Sequence, residues 1–355
     1  MHTDQQVPFR IGVTRDVRLP DGTFAFAPFD LSALEIDGLE WAFLAEDARP
    51  LTPELLAEID GLYHFSAPVT ADSLEGVDRL ALLARHGVGL DFIDLEACTQ
   101  RGIAVTITPH GVTGPMASAA VTLVLALAHR LRERDRALHD GDWGPGRFEP
   151  PGVGLEGRTL GVIGYGRIGR EVVRLLRPWE MRVLVTQRTP VSEDGVSYVP
   201  LETLLAEADV AVVACPLNDA TRGLLDGPRL ALMKPTAFLV NVSRGAIVDQ
   251  AALVEALRDG RLGGAGLDVV DPEPLPADAP LLRLANVVGA PHSLGYTDEL
   301  LRGCVQGACR ALLAVAAGRV PPDLANPGVL DNALFAEKLG RFAARAERRS
   351  AGDPS

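Results

Sequence analysis

Gly161-Val-Ile-Gly164-Tyr165-Gly166-Arg167-Ile168-Gly169-Arg170, entered from Arg158-Thr-Leu160 and followed by Glu171-Val-Val-Arg-Leu-Leu176, decides the fold. An apolar run feeding a G-x-G-x-x-G turn and then a helical pattern is the arrangement that grips a dinucleotide pyrophosphate. Gly164 permits the tight turn, Gly166 lets bare backbone approach the phosphates, and Gly169 lets the helix pack close to the strand. The helix N-terminus adds free N–H groups and a partial positive charge for the anion.

Working outward, strand patterns alternate with helical ones on both sides. Before the motif, Phe9–Thr14, Leu39–Leu44, Gly61–Phe65 and Leu80–Ala84 read as strands. Thr52–Ile59 reads as a helix with a Thr cap and Pro at its first position. After it, Arg182–Thr186, Asp209–Ala214, Ala237–Asn241, Gly264–Val269 and Asn286–Ala290 continue a sheet of about six strands. Such alternation implies parallel sheets covered by helices. The expected fold is α/β, with two Rossmann-like or flavodoxin-like lobes and a ligand cleft between them. Residues 114–297 form the dinucleotide-binding domain. Residues 1–113 and 298–330 form a discontinuous substrate-binding domain, closed by a helix over Glu299–Val315. Asp140–Gly154, dense in Gly and Pro, is a loop. Residues 331–355, Arg-rich toward the end, are expected to form a loosely ordered tail.

Composition narrows the function. The 355 residues are 47% hydrophobic and 23% charged, with net charge −13 and no basic stripe outside the tail. That argues against nucleic acid and anionic membrane surfaces as partners. The apolar run Met116–Ala128 is read as too short and Ala-rich to span a bilayer. The first residues lack the basic and apolar segments of a secretory leader. Cys98, Cys215, Cys304 and Cys309 form no C-x-x-C pair and no metal-ligand spacing, so buried reduced thiols in a cytoplasmic protein are expected and no metal site is.

NAD-binding folds usually carry Asp or Glu after the second strand to hold the ribose 2′-hydroxyl. Here Gln187 occupies that place and Arg188 and Thr189 follow. No carboxylate repels a 2′-phosphate, and Arg188 can make charge-assisted bonds to one. NADP is favoured, with NAD left open: Arg188 could instead stack on the adenine or face solvent.

Three segments at carboxyl ends of strands carry suitable chemistry: Asn241-Val-Ser-Arg244, Asp268-Val-Val-Asp-Pro-Glu273-Pro, and Ala290-Pro-His292-Ser-Leu-Gly295. Ligands sit at that edge in open α/β sheets. Hydride transfer between a carbinol and a nicotinamide needs a group to move the hydroxyl proton, and His292 suits it near neutral pH. Glu273 beside it would favour the imidazolium. Arg244 can polarise the carbonyl oxygen and hold a carboxylate bidentately.

With Ala84-Arg85-His86-Gly87-Val88-Gly89-Leu90-Asp91 and Cys215-Pro216-Leu217-Asn218 added, the chain from about Leu80 to Leu330 resembles the D-isomer specific 2-hydroxyacid dehydrogenase family. The resemblance implies that Arg244, Glu273 and His292 are catalytic and that backbone N–H groups of Val88 and Gly89, in the loop opened by Arg85, cradle the substrate carboxylate. It implies that Asp268 holds the nicotinamide carboxamide and that Arg167 and Ile168 contact the pyrophosphate. It extends the coenzyme site to Gly164, Tyr165, Gly166 and Gly169, to Gln187, Arg188 and Thr189, and to Cys215, Pro216, Thr221, Val242, Ser243, His292 and Gly295. Dimerisation through the nucleotide domain is typical of such proteins. The run Gln187-Arg188-Thr189 is similar to that of the NADP-using glyoxylate and hydroxypyruvate reductases within the family. Ser118 stands where many relatives carry Glu, and Leu90 where Tyr is frequent. Two other readings stay open on the residues alone: a dinucleotide-sensing protein like the corepressors that share this fold, and a reductase of a phosphonate-bearing or other unusual keto acid.

Overall fold

The computed structural model describes residues 7–19, 21, 23–24, 29–189 and 193–350. Residues 1–6, on which the leader argument rests, and 351–355 of the expected tail lie outside them. The chain divides into two compact units, Met1–Val112 with Thr297–Ser355, and Thr113–Tyr296.

In chain order the first unit holds β1 (Phe9–Val13), β2 (Leu39–Phe43), α1 (Pro53–Leu56), β3 (Gly61–His64), β4 (Leu82–Arg85), α2 (Leu95–Gln100) and β5 (Ala104–Thr106). The unit boundary falls inside α3 (Pro109–Ala128). The second unit continues with α4 (Leu131–His139), β6 (Thr159–Ile163), α5 (Arg167–Leu176), β7 (Arg182–Thr186), β8 (Val196–Tyr198), α6 (Leu201–Glu207) and β9 (Val210–Val213). It closes with α7 (Gly227–Leu230), β10 (Phe238–Asn241), α8 (Gln250–Arg258), β11 (Gly264–Leu267) and β12 (Val287–Gly289). The chain then returns to the first unit with α9 (Asp298–Ala316) and α10 (Ala333–Ser350).

Each unit is built on a parallel sheet flanked by helices. The first has order β2-β1-β3-β4-β5, the second β12-β11-β10-β9-β6-β7-β8. Among the described residues the second sheet has seven strands rather than about six, because β8 adds an edge strand on β7. Only three residues long, β8 carries too little pattern to be read locally, and the same holds for β5. All five residues of β6 are buried, as a strand covered on both faces requires. On α5, Gly169, Val172, Val173 and Leu176 are buried, an i, i+3, i+4, i+7 stripe that lays the helix on the sheet. Thr297 caps α9 by accepting from the Leu300 N–H at 3.2 Å. By contrast Thr52 caps no backbone N–H of α1, which ends at Leu56 rather than running to Ile59.

Two expectations are corrected. The tail beyond Asp331 is not loose: Ala333–Ser350 is a helix whose Phe335 and Phe342 are buried, with Phe342 edge-on to Phe9 at 4.9 Å. Lys338, 4% exposed, donates to the carbonyls of Leu80 (2.7 Å), Arg101 (2.8 Å) and Gly102 (3.3 Å). Phe335, Lys338, Leu339 and Phe342 share one helical face, and their burial outweighs the Arg-rich composition. Second, α3 is 20 residues long, so by length and composition it could cross a membrane, unlike the shorter run read from sequence. Its most apolar window is 61% buried in the protein. Ala117, Ala120, Leu123, Val124 and Leu127 pack in the cluster that includes Leu160, Val162 and Val240.

Candidate active site

The second sheet supplies the site from strand ends. Its order reverses between β6 and β9, so the connections leaving β6 and β9 diverge there and open a crevice at the carboxyl edge. Gly164 follows β6 with φ +94°, and a Cβ on it would lie 2.5 Å from the Cys215 nitrogen. No side chain fits there, so the turn after β6 packs against the segment after β9. A Cβ on Gly169 would meet the Gly164 carbonyl at 2.3 Å, which explains the close helix-to-turn contact. Among the described residues, a Cβ on Gly166 would meet nothing within 4 Å and no side chain caps the N-terminus of α5. Exposed backbone donors facing open space fit a dinucleotide pyrophosphate. Arg167 is exposed and Ile168 half-buried at this helix start. Tyr165 is different: its side chain is buried and its hydroxyl donates to Glu193 at 2.9 Å, which leaves its backbone for a ligand.

At the end of β7, Gln187 Nε2 donates to the Thr189 carbonyl at 2.5 Å, and Arg188 and Thr189 are exposed. Beyond β9, Thr221 Oγ1 donates to the Pro216 carbonyl at 2.7 Å and ties the loop into a closed turn. Cys215 is buried, its thiol pushed up to about 11 by desolvation, and its carbonyl accepts from Ser243 Oγ. Such a thiol is inert.

Arg244 is set by its neighbours. Asn241, buried at the end of β10, donates Nδ2 to the Arg244 carbonyl (2.9 Å) and accepts the Ser243 N–H on Oδ1 (3.0 Å). Val242 is buried below them. A Cβ on Gly245 would lie 1.9 Å from the Val270 carbonyl oxygen, so this turn and the one after β11 touch backbone to backbone. Arg244 Nη1 donates to the Ser243 carbonyl at 2.7 Å. Neither Asn241 nor Gly245 was assigned a role from sequence; a short amide at a strand end beside Arg-Gly is the signal that could have pointed to them.

His292 follows β12 in the left-handed region, φ 52°, and its N–H donates to the carbonyls of Asp268 (2.8 Å) and Ala290 (3.0 Å). Its Nδ1 lies 2.8 Å from Glu273 Oε2, with the two side chains 44% and 38% exposed. Glu273 Oε1 accepts the Val270 N–H at 3.1 Å. Partial burial pushes the Glu273 carboxyl up, but the His292 hydrogen bond and charge, the Val270 N–H and the Arg244 charge outweigh it and hold it below its ordinary 4.5. Glu273 is therefore within electrostatic reach of both other groups expected from sequence, His292 and Arg244. Asp268 is buried, and its Oδ1 accepts the N–H groups of Ser293 (3.0 Å) and Leu294 (2.9 Å), anchoring the turn that ends at the buried Gly295.

Arg85, Val88 and Gly89 belong to the first unit, at the carboxyl end of β4. Arg85 Nε donates to the Gly89 carbonyl at 3.2 Å, and its guanidinium carbon lies 5.0 Å from the centre of the Phe92 ring. It braces the loop it opens. Below it, desolvation and the Arg85 charge lower His64 to about 4 and His86 to about 3, so both are neutral. His86 Nδ1 meets the Tyr63 hydroxyl at 2.6 Å.

The sequence pattern described as the NAD binding domain of D-isomer specific 2-hydroxyacid dehydrogenases matches residues 121–293. A glyoxylate reductase from Korarchaeum cryptofilum is 38% identical over 297 residues, 82% of this chain and 90% of that protein. A D-lactate dehydrogenase from Aquifex aeolicus, solved with NAD and lactic acid, superposes with TM-score 0.78 at 27% identity, covering 89% of this chain and 99% of the other. The NADPH-dependent glyoxylate/hydroxypyruvate reductase of Sinorhizobium meliloti, solved with NADP and malonate, gives TM-score 0.74 at 28% identity, covering 87% and 93%.

Proposed function

The chain belongs to the D-isomer specific 2-hydroxyacid dehydrogenase family, an enzyme that moves hydride between a nicotinamide coenzyme and a keto or hydroxy acid, and from there we propose an NADPH-dependent reductase of small 2-keto acids such as glyoxylate or hydroxypyruvate. The reduced nicotinamide, when bound, supplies the hydride. His292, held by Glu273, donates the proton to the carbonyl oxygen of the substrate. Glu273 fixes the ring through Nδ1, leaving Nε2 for the substrate, and offsets the charge of the imidazolium. Arg244 attracts the negative charge that builds on that oxygen, a contribution of the kind that usually dominates barrier lowering. The carrying observation is the 2.8 Å contact of His292 with Glu273, in the electrostatic reach of Arg244.

Coenzyme contacts are assigned to the backbone of Gly164–Gly169, to Gln187, Arg188 and Thr189, and to the turns at Cys215-Pro216, Thr221, Val242-Ser243, Asp268 and His292–Gly295. The second unit is accordingly the dinucleotide domain, and the first the substrate domain, contributing the Val88 and Gly89 N–H groups to a carboxylate. NADPH is preferred because residues 187–189 carry one cation and no acid. Leu131 and Leu138 on α4, with Trp143 and Phe148 beyond it, are exposed, which supports a homodimer formed through this unit. The four buried, unpaired cysteines support residence in the reducing cytoplasm. The net charge of −13 disfavours nucleic acid and anionic membranes as partners.

Turnover with NADPH and with NADH on glyoxylate, hydroxypyruvate, pyruvate and longer 2-keto acids tests this reading. The expected result is higher kcat/KM with NADPH and with the two- and three-carbon acids. A preference for NADH overturns the coenzyme assignment, and turnover confined to long acids overturns the substrate class.

A further inference from the structure

An acid does lie beyond β7, past Gln187-Arg188-Thr189. Glu193 accepts the Tyr165 hydroxyl at 2.9 Å on Oε1 and pairs with Arg170 through Oε2. The Arg170 guanidinium carbon sits 4.7 Å from the centre of the Tyr165 ring. That ring is 2% exposed and stands edge-on to Tyr198 of β8 at 6.2 Å. One carboxylate thus joins three pieces of the coenzyme unit: the phosphate turn through Tyr165, the first turn of α5 through Arg170, and the chain entering β8.

We propose that Tyr165, Arg170 and Glu193 form a latch that holds the chain entering β8 against the phosphate-binding turn and so sets the position of Gln187, Arg188 and Thr189 beside it. Tyr165 and Glu193 are then positioning residues for the adenosine end of the dinucleotide. The inference rests on the coenzyme site assigned above. Two features favour a positioning role over simple packing. A Phe would fill the same buried space, so the distinct contribution of the hydroxyl is this one bond to Glu193. The carboxylate also stands near a helix N-terminus whose open donors suit an anion, where an unpaired acid would repel the ligand; Arg170 neutralises it. Desolvation and the bond to Glu193 push the Tyr165 phenol up to about 12, so it stays a donor at working pH.

The test compares wild type, Tyr165→Phe, Glu193→Ala and the double variant. For each, the Kd of NADPH and NADH is measured by fluorescence titration, with kcat at saturating coenzyme and Tm alongside. Tyr165→Phe loses one hydrogen bond to a charged group and is expected to raise Kd for the coenzyme wild type prefers by about three- to tenfold, with kcat within about twofold; Glu193→Ala loses that bond and the Arg170 ion pair and is expected to raise Kd at least as much. The double variant is expected to match Glu193→Ala, because the two substitutions break the same contact. Unchanged Kd in both single variants, multiplicative losses in the double, or kcat and Tm falling in step with affinity would overturn the latch. The wild-type NADPH-to-NADH ratio tests the coenzyme assignment separately: if it favours NADH, that assignment falls, and the latch is judged on the NADH values.

Discussion

Asp268 fixes His292 through the backbone. Its carbonyl accepts the His292 N–H at 2.8 Å, while its buried carboxylate gathers the next two N–H groups, of Ser293 and Leu294. The positive φ of His292 is unusual for a side-chain-bearing residue and persists only where such contacts over-determine it. Asp268→Ala is expected to leave two N–H groups without their acceptor and to lower kcat about 100-fold, the scale of an ångström-level misplacement of a catalytic group. Asp268→Asn, which keeps an oxygen acceptor, should retain most activity. Equal losses in both variants would show that the charge, and not the turn, is what matters.

Replacing His292, the proposed proton donor, should separate chemistry from binding. His292→Ala is expected to lower kcat by about a hundred- to ten-thousandfold while NADPH affinity changes little. Arg244→Lys keeps the charge but loses the planar fork, so it should lower kcat/KM for keto acid by about tenfold or more. Single-turnover kinetics and coenzyme titration check both. Retained turnover in His292→Ala would contradict its role.

Acid should affect the site through Glu273. Its carboxyl is held below 4.5 in the folded protein, so the ionised form is the one favoured there. What the ionised group contributes is present above about 4.5 and is lost as pH falls through the lower folded value. The acidic limb of kcat/KM that reports Glu273 is therefore expected below 4.5, and Glu273→Gln should remove it. A limb unchanged in that variant would assign it to another group.

Coenzyme choice should follow Arg188. Arg188→Ala is expected to weaken NADPH about tenfold and leave NADH nearly unaffected, since the charge-assisted contact to the 2′-phosphate proposed for it would be lost. Gln187→Asp should move the preference further toward NADH. Equal effects of Arg188→Ala on both coenzymes would point to adenine stacking instead.

The C-terminal helix provides a stability test. Lys338 titrates at about 8 instead of its ordinary 10.5, chiefly because burial disfavours the ammonium. Between those values the unfolded chain holds the extra proton, so stability rises with pH across that window. Lys338→Met leaves three carbonyls without their donor and is expected to cost about 2–4 kcal/mol at pH 7. The variant should also lack the rise above pH 8. Thermal melts of both proteins from pH 7 to 10 check the sign.

The parts of this protein legible in its sequence are those whose physics is local. A glycine triplet between an apolar run and a helical stripe states its own turn, because the steric demand at Gly164 arises within a few residues of backbone. Glu273 and His292 were paired by their order at strand ends, since parallel strands deliver their carboxyl ends to one edge. Tertiary structure alone decided the rest. The helix over Ala333–Ser350 is not legible in the sequence because its Arg-rich composition masks a face whose partners, the carbonyls at Leu80, Arg101 and Gly102, lie more than two hundred residues away. Glu193 went unassigned because its partners are on other elements and no spacing encodes them. Asp268 is legible as an acid, yet its grip on the turn carrying His292 depends on β11 and β12 lying side by side, a long-range pairing that only the folded chain creates.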